Sequence, residues 1–342
     1  LKLNGSMNKK DIRIVFMGTP EFAVESLKAL VENNYNVVGV VTQPDKPVGR
    51  HQESLQAPAV KVYAKSVGLP VLQPVKMKDT EFINQLQALK ADLQVVVAFR
   101  LLPEVVWSMP RLGTFNVHAA LLPQYRGAAP INWAVINGET ETGVTTFFLD
   151  KDIDTGRIIG RKHFSIPENA NVEYVYDGLM RLGADLAIET IDLLCEKIAN
   201  NFDDAQILSV MNEITEAQQN SEDLHPAPKI FKETCEIDWY QEASVIYNFV
   251  RGLSPYPGAW SKIVPFDNFA TSTTDMVLKI FEAVKTEKAA NGEPGTFVIE
   301  NKKLYVNTND FLLELRELQL SGKKRMDSSS FLNGFKQIVE YK

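Results

Sequence analysis

Asn116 and His118 stand two positions apart in the stretch NVHAALLPQYRGAAP (116–130), in a chain with only four histidines. Alternate residues of a strand project from the same side, so this pair would offer an amide N–H and an imidazole to one small volume. An asparagine amide is a good donor to an oxyanion. A histidine can donate to a tetrahedral intermediate or take a proton from it. The pair therefore suits attack of a nucleophile on a carbonyl carbon. A metal centre would want further His, Cys or carboxylate ligands; none is adjacent, and no metal is expected. A charged partner should hold the imidazole, and DKDIDTGRIIG (150–160) offers Asp150, Asp152 and Asp154. Asp154 heads an Asp-Thr-Gly turn that leads back into a strand, so its carboxylate can be held firmly. A plainer reading competes: a lone histidine after a strand is commonly a satisfied structural residue, and Asp-Thr-Gly is a common turn.

The elements that must position these groups follow from the apolar pattern. IRIVFM (12–17) ends at Gly18-Thr19-Pro20, where Thr19 can cap a helix beginning at Pro20. Strands are expected at 36–42, near 69–72, at 92–99 and at 114–118, with helices at about 57–66 and 79–89 between them. Runs of Val and Ile on both faces, alternating with helices, predict a doubly wound, mostly parallel α/β sheet of Rossmann-like kind. The first turn, Gly18-Thr19-Pro20-Glu21-Phe22, lacks the second glycine of a dinucleotide fingerprint, and no Walker loop occurs. A ligand would still bind where the carboxyl ends of the strands meet at a switch point, and Asn116 and His118 lie at such an end. Strands at 143–150 and 157–166 and a helix over about 172–198 follow.

Beyond these the character changes. NEITEAQQNSEDLHPAPKI (212–230) is polar, with two prolines and little periodicity, and is expected to be a linker. After a short helix near 243–251 come five strand-like runs, AWSKIV, MVLKIFEAV, GTFVIE, KLYVNT and FLLELREL, as in a small antiparallel OB-like barrel. The expected organisation is a cloning remnant at 1–6, a catalytic domain at 7–205, a linker at 206–228 and a barrel at 229–342.

The length of 342 residues favours two domains. A net charge of −7 means that any nucleic-acid contact must use local basic patches. The two cysteines show neither metal spacing nor a disulfide framework, which suits a reducing cytoplasm. The longest apolar runs are strand-sized and far below a membrane span.

The ordered set of motifs in 116–160 resembles the folate-dependent formyltransferases: Asn-x-His, a Leu-Leu-Pro loop, Arg-Gly and Asp-Thr-Gly. IRIVFMGTPEFAVESLKAL, VVTQPDKPVGR, VRGLSPYPGAW and SGKKRMDSSSFLNG are similar to the branch of that family acting on methionyl-tRNA. The resemblance implies transfer of formyl from 10-formyltetrahydrofolate to the amino group of initiator methionyl-tRNA. It would give Asn116 the formyl oxygen and His118 the oxyanion and the proton. Asp154 would keep His118 charged or correctly oriented, helping to order a water. Ala120, Leu121, Leu122 and Pro123 would border the folate, with alanine where the family has serine. Phe99, Arg100 and Leu101 would form the opposite wall, Arg100 standing where glycine is frequent. Arg50 would lie in a loop near the acceptor end of the tRNA, with fewer basic neighbours than in relatives. Lys323, Lys324 and Arg325, the densest basic cluster, would face RNA. Tyr256 and Trp260 are expected in the core at the barrel entrance. A monomer without membrane attachment is expected. The alternatives are formylation of an amino-sugar nucleotide or ribotide amine on the same catalytic core, and a non-catalytic RNA-binding protein.

Overall fold

Val- and Ile-rich runs with no polar alternation can be satisfied only between two layers of helix, and they form the centre of a seven-stranded sheet. The computed structural model describes residues 7–48, 54–263 and 276–334. In chain order, β1 (Arg13–Gly18), α1 (Glu21–Glu32) and β2 (Asn36–Val41) lead into a two-stranded excursion, β3 (Lys46–Val48) and β4 (Ser54–Gln56). α2 (Ala59–Ser66), β5 (Val71–Leu72), α3 (Thr80–Ala88), β6 (Leu93–Val97), α4 (Glu104–Trp107) and β7 (Thr114–His118) follow. After α5 (Pro130–Ile136) come β8 (Glu141–Phe148), β9 (Ile158–Ser165), α6 (Val172–Lys197) and α7 (Asp204–Ile214).

The strands lie in the order β5-β2-β1-β6-β7-β8-β9. The first five run parallel, and β8 and β9 turn back antiparallel. All five residues of β6 are buried, as a strand covered on both faces demands. Strand order reverses between β1 and β6, where Gly18 pairs with Val97. A methyl group on Gly18 would lie 2.8 Å from the Val97 carbonyl oxygen, so only glycine lets the two strand ends close up there. The doubly wound, mostly parallel sheet agrees with the expectation.

The cap expected from Thr19 is not made. Helix α1 begins at Glu21, and the Thr19 hydroxyl is buried without a hydrogen-bond partner. The Phe22 N–H instead donates to the Tyr176 hydroxyl of α6 at 2.9 Å, with the two rings edge to face. That tyrosine stands over the helix start where a dinucleotide phosphate would sit.

The chain divides into two compact units. The first comprises residues up to Gly127, Glu141–Ser165 and Tyr176–Pro226; the second comprises Ala128–Thr140, Ile166–Val175 and the chain from Ala227 onward. The stretch expected as linker opens as helix α7. Its start is a reciprocal cap between Asp203 and Gln206, a local signal stronger than the overall polarity.

In the second unit α8 (Ala243–Gly252) precedes β10 (Ala259–Ile263), β11 (Met276–Ala289), β12 (Phe297–Glu300), β13 (Lys303–Asn307) and β14 (Phe311–Leu320). These are the five expected strands, paired antiparallel as β10-β11-β14-β13-β12. A sixth, β15 (Met326–Asp327), adds to β14, and α9 (Ser328–Gly334) follows. Ile246, Val250, Leu278, Ile280, Leu304, Leu313, Leu315 and Phe331 fill the core. Trp260 is buried as expected, its indole N–H donating to the Lys232 carbonyl. Tyr256 is not in the core: it is 81% exposed. It lies on a connection between Pro255 and Pro257, where no strand pairing turns it inward.

Candidate active site

Strand β7 delivers its residues to the switch-point end of the sheet by simple alternation. Val117 faces α6, where a methyl group on Gly183 would come within 3.1 Å of it. Asn116 and His118 therefore project from the opposite side. Asn116 is half-buried, and among the described residues its amide has no hydrogen-bond partner. His118 is 6% exposed, with its ring edge-on to Phe147 of β8.

Each imidazole nitrogen has a definite neighbour. The Tyr125 carbonyl oxygen lies 2.8 Å from His118 Nε2. A carbonyl can only accept, so Nε2 carries a hydrogen. Nδ1 is then the nitrogen facing Asp154, whose Oδ2 is 3.8 Å away. That is longer than the roughly 3 Å of a made N–H···O bond, yet too short for a water between. The two groups are placed as an ion pair once the ring is protonated. Asp154 Oδ2 also accepts from the Gly127 N–H at 2.9 Å, so its orientation is set. The structure thus brings Asn116, His118 and Asp154 to one strand end. Asp150 caps its own loop through Asp152 N–H and the Thr155 hydroxyl.

The sequence from 12 to 191 matches the family model "Formyl transferase", and residues 229–336 match "Formyl transferase, C-terminal domain". The chain belongs to the formyl transferase family. A relative from Parabacteroides distasonis named methionyl-tRNA formyltransferase is 58% identical, over 98% of this chain and 99% of that one. A relative of the same name from Porphyromonas gingivalis is 42% identical, over 96% of this chain and 97% of that one. Among solved structures, HypX from Aquifex aeolicus in complex with tetrahydrofolic acid superposes with a TM-score of 0.59 at 18% identity. The match covers 95% of this chain and 47% of that one. An N-formyltransferase from Helicobacter canadensis gives 0.56 at 20% identity, covering 89% and 98%. These two likenesses are of fold.

In this formyl transferase the loop after β7 is tied down from beneath. The Thr145 hydroxyl of β8 donates to the Ala120 carbonyl at 2.6 Å and accepts from Leu122 N–H at 3.1 Å. Arg161 Nε donates to the Leu122 carbonyl. Ala120 and Leu122 are buried, Leu122 packing with Phe147 and Ile158. The groups of the loop left towards solvent are Leu121 and Pro123, both half-buried. After β6, Leu101 is 73% exposed and Phe99 half-buried. Arg100 has its guanidinium on the carbonyls of Pro74 and Val75, against the Phe99 ring. Desolvation there pulls its pKa below the ordinary arginine value. Arg100 thus ties its loop to the one after β5.

Arg50 lies outside the described residues. Arg325 grips the Glu317 carboxylate with two nitrogens and stacks over Phe281 at 4.1 Å. Lys323 and Lys324 are exposed, and neither makes an ion pair among the described residues. Sequence reasoning missed Tyr125, Thr145, Arg161 and Gln218 as residues that hold the site. Tyr125 acts through its backbone and Gln218 sits in an aperiodic polar stretch, so neither carried a signal.

Proposed function

We propose that this formyl transferase moves the formyl group of 10-formyltetrahydrofolate to the α-amino group of methionine esterified to initiator tRNA, yielding N-formylmethionyl-tRNA. The observation that carries the choice of acceptor is the end-to-end 58% identity to a methionyl-tRNA formyltransferase, C-terminal domain included. The site suits the chemistry. The half-buried amide of Asn116 has no hydrogen-bond partner among the described residues and can donate to the oxygen of a bound formyl group.

The neutral amine nitrogen bonds to the formyl carbon, and the carbonyl π pair moves onto oxygen. Asn116 donates to that oxygen as its charge grows, which is worth most in a site away from bulk water. His118 Nδ1, the nitrogen not committed to Tyr125, takes the proton of the new ammonium group. Asp154 balances the imidazolium so formed, as a carboxylate beside a histidine does in acyl-transfer sites. The oxyanion pair then re-forms the carbonyl, the bond from formyl carbon to folate nitrogen breaks with its electron pair staying on that nitrogen, and the proton is delivered there. Leu121 and Pro123 on one side and Phe99, Arg100 and Leu101 on the other would border the folate; Ala120 and Leu122 support that border from within. Lys323, Lys324 and Arg50 would meet tRNA phosphates, with Arg325 buttressing the cluster. All three working residues come from one chain, and a monomer suffices. Cys195 and Cys235 are buried and form no disulfide among the described residues, which suits a reducing cytoplasm. No helix among the described residues is long and apolar enough to cross a membrane.

The test is transfer of labelled formyl from 10-formyltetrahydrofolate to charged initiator methionyl-tRNA, beside an amino-sugar nucleotide. Transfer that depends on the tRNA is expected. Transfer to the sugar alone would overturn the choice of acceptor, and transfer to neither would overturn the reading as an enzyme.

A further inference from the structure

We propose that Gln218 is a positioning residue for the His118–Asp154 pair, acting from a segment that supplies no reacting group of its own. The proposal rests on the reading of that pair as the working one.

The side-chain amide of Gln218 uses all of its hydrogen-bonding capacity on the two loops that carry the pair. Its Nε2 donates to the Asp154 carbonyl at 2.9 Å and to the Gly156 carbonyl at 2.8 Å. Its Oε1 accepts from Arg126 Nε at 3.0 Å and Nη2 at 2.7 Å. Arg126 lies between Tyr125, whose carbonyl holds His118 Nε2, and Gly127, whose N–H holds Asp154 Oδ2. The contacts form a closed ring: His118 to Tyr125, along the backbone to Arg126, across to Gln218, on to Asp154, and back to His118.

Two features make the ring matter. Asp154 has φ of +55°, a left-handed conformation that a non-glycine residue keeps only when its surroundings hold it. At 3.8 Å the His118–Asp154 pair has no direct hydrogen bond to fix it, so its geometry rests on the loops that carry the two residues. The same segment adds support beyond Gln218. The Tyr125 N–H donates to the His225 carbonyl at 2.7 Å, and the two rings stack. Glu216 bridges Ile158 in backbone pairing. Among the described residues, Gln218 is the one side chain of this strap that hydrogen-bonds to both loops.

The experiment is a kinetic double-mutant cycle on the full chain. Gln218→Ala is expected to lower kcat about tenfold or more, since misplacement of a reacting group by about 1 Å is costly. KM for folate and for tRNA should stay within about twofold. The limb of the kcat–pH profile that reports the pair should move. In an Asp154→Ala background, Gln218→Ala should cost nothing further, because the partner it positions is gone. Gln218→Glu keeps the acceptor for Arg126 but loses both donations, so it should fall between Gln218→Ala and wild type. Thermal melting of each variant separates misplacement from unfolding. If Gln218→Ala melts early, Gln218→Glu with normal melting carries the test, and normal kcat there overturns the proposal. Additive losses in the cycle, or a lowered kcat with an unmoved pH profile, would also overturn it. Wild-type kcat in Asp154→Ala would instead overturn the reading of the pair, and this proposal with it.

Discussion

Asn116 is the donor of the candidate site without a hydrogen-bond partner among the described residues, and that makes it the most open to a direct test. Removing one oxyanion donor typically costs about 3–4 kcal/mol of transition-state stabilisation. Asn116→Ala, and separately His118→Ala, should therefore lower kcat by about a hundredfold or more with unchanged melting. A purified His118→Ala enzyme with near-native kcat would remove this histidine from the mechanism. Asp154→Asn asks a narrower question. The amide oxygen can still accept from Gly127 N–H, so the turn should hold, but the charge opposite His118 Nδ1 is lost. A fall in kcat with no change in melting is the expected result; equal activity would mean that the charge does nothing. At this scale the sequence was informative where side-chain chemistry acts. That Asn116 and His118 share one side of a strand end, with Asp154 near the imidazole, was legible from residue type and spacing, whereas Tyr125 contributes a carbonyl that any residue possesses.

The turn between β8 and β9 is the element that places Asp154, and its geometry depends on Gly156. A methyl group built there would sit 1.7 Å from the Phe148 carbonyl oxygen, which is backbone and cannot step aside. Gly156→Ala should destabilise the fold by about 1–3 kcal/mol, as overpacking does, and should lower kcat by displacing the turn. Denaturant unfolding and steady-state kinetics on one preparation would check both; an unaltered midpoint would show that the turn has room to relax. The strands were legible because their period and burial are local properties. The start of α1 was not. Thr19 was the natural cap by sequence, but Tyr176, 154 residues beyond Phe22, provides the acceptor. Nor was the tethering of the loop after β6, where Arg100 reaches back to Pro74 and Val75.

At the scale of the whole molecule, a net charge of −7 requires RNA contact to be local. The charge available for it at the basic cluster is that of Lys323 and Lys324, since Arg325 is engaged with Glu317 and Phe281. Lys323→Glu with Lys324→Glu should raise KM for the tRNA and flatten its salt dependence. KM for the folate and the melting temperature should not change. An unmoved KM and salt slope would sink the idea of a phosphate-contacting patch. Reversal of Arg325 is a poorer experiment, because it also breaks the grip on Glu317.

By itself the sequence determined the layered α/β sheet, the antiparallel C-terminal sheet, and the residue types able to move a formyl group. Those properties are written in short windows, as apolar period and side-chain chemistry. Tertiary structure decided how the groups of the candidate site are held. It assigned His118 Nε2 to the Tyr125 carbonyl and left Nδ1 to Asp154. It also folded Ala128–Thr140 and Ile166–Val175 in with the second unit. The polar stretch expected to be a linker became a strap over the two loops that carry Tyr125 and Asp154, with Gln218 meeting Arg126 across 92 residues and Asp154 across 64. Such contacts join backbone groups and ordinary polar side chains far apart in the chain, and neither residue type nor periodicity marks them beforehand.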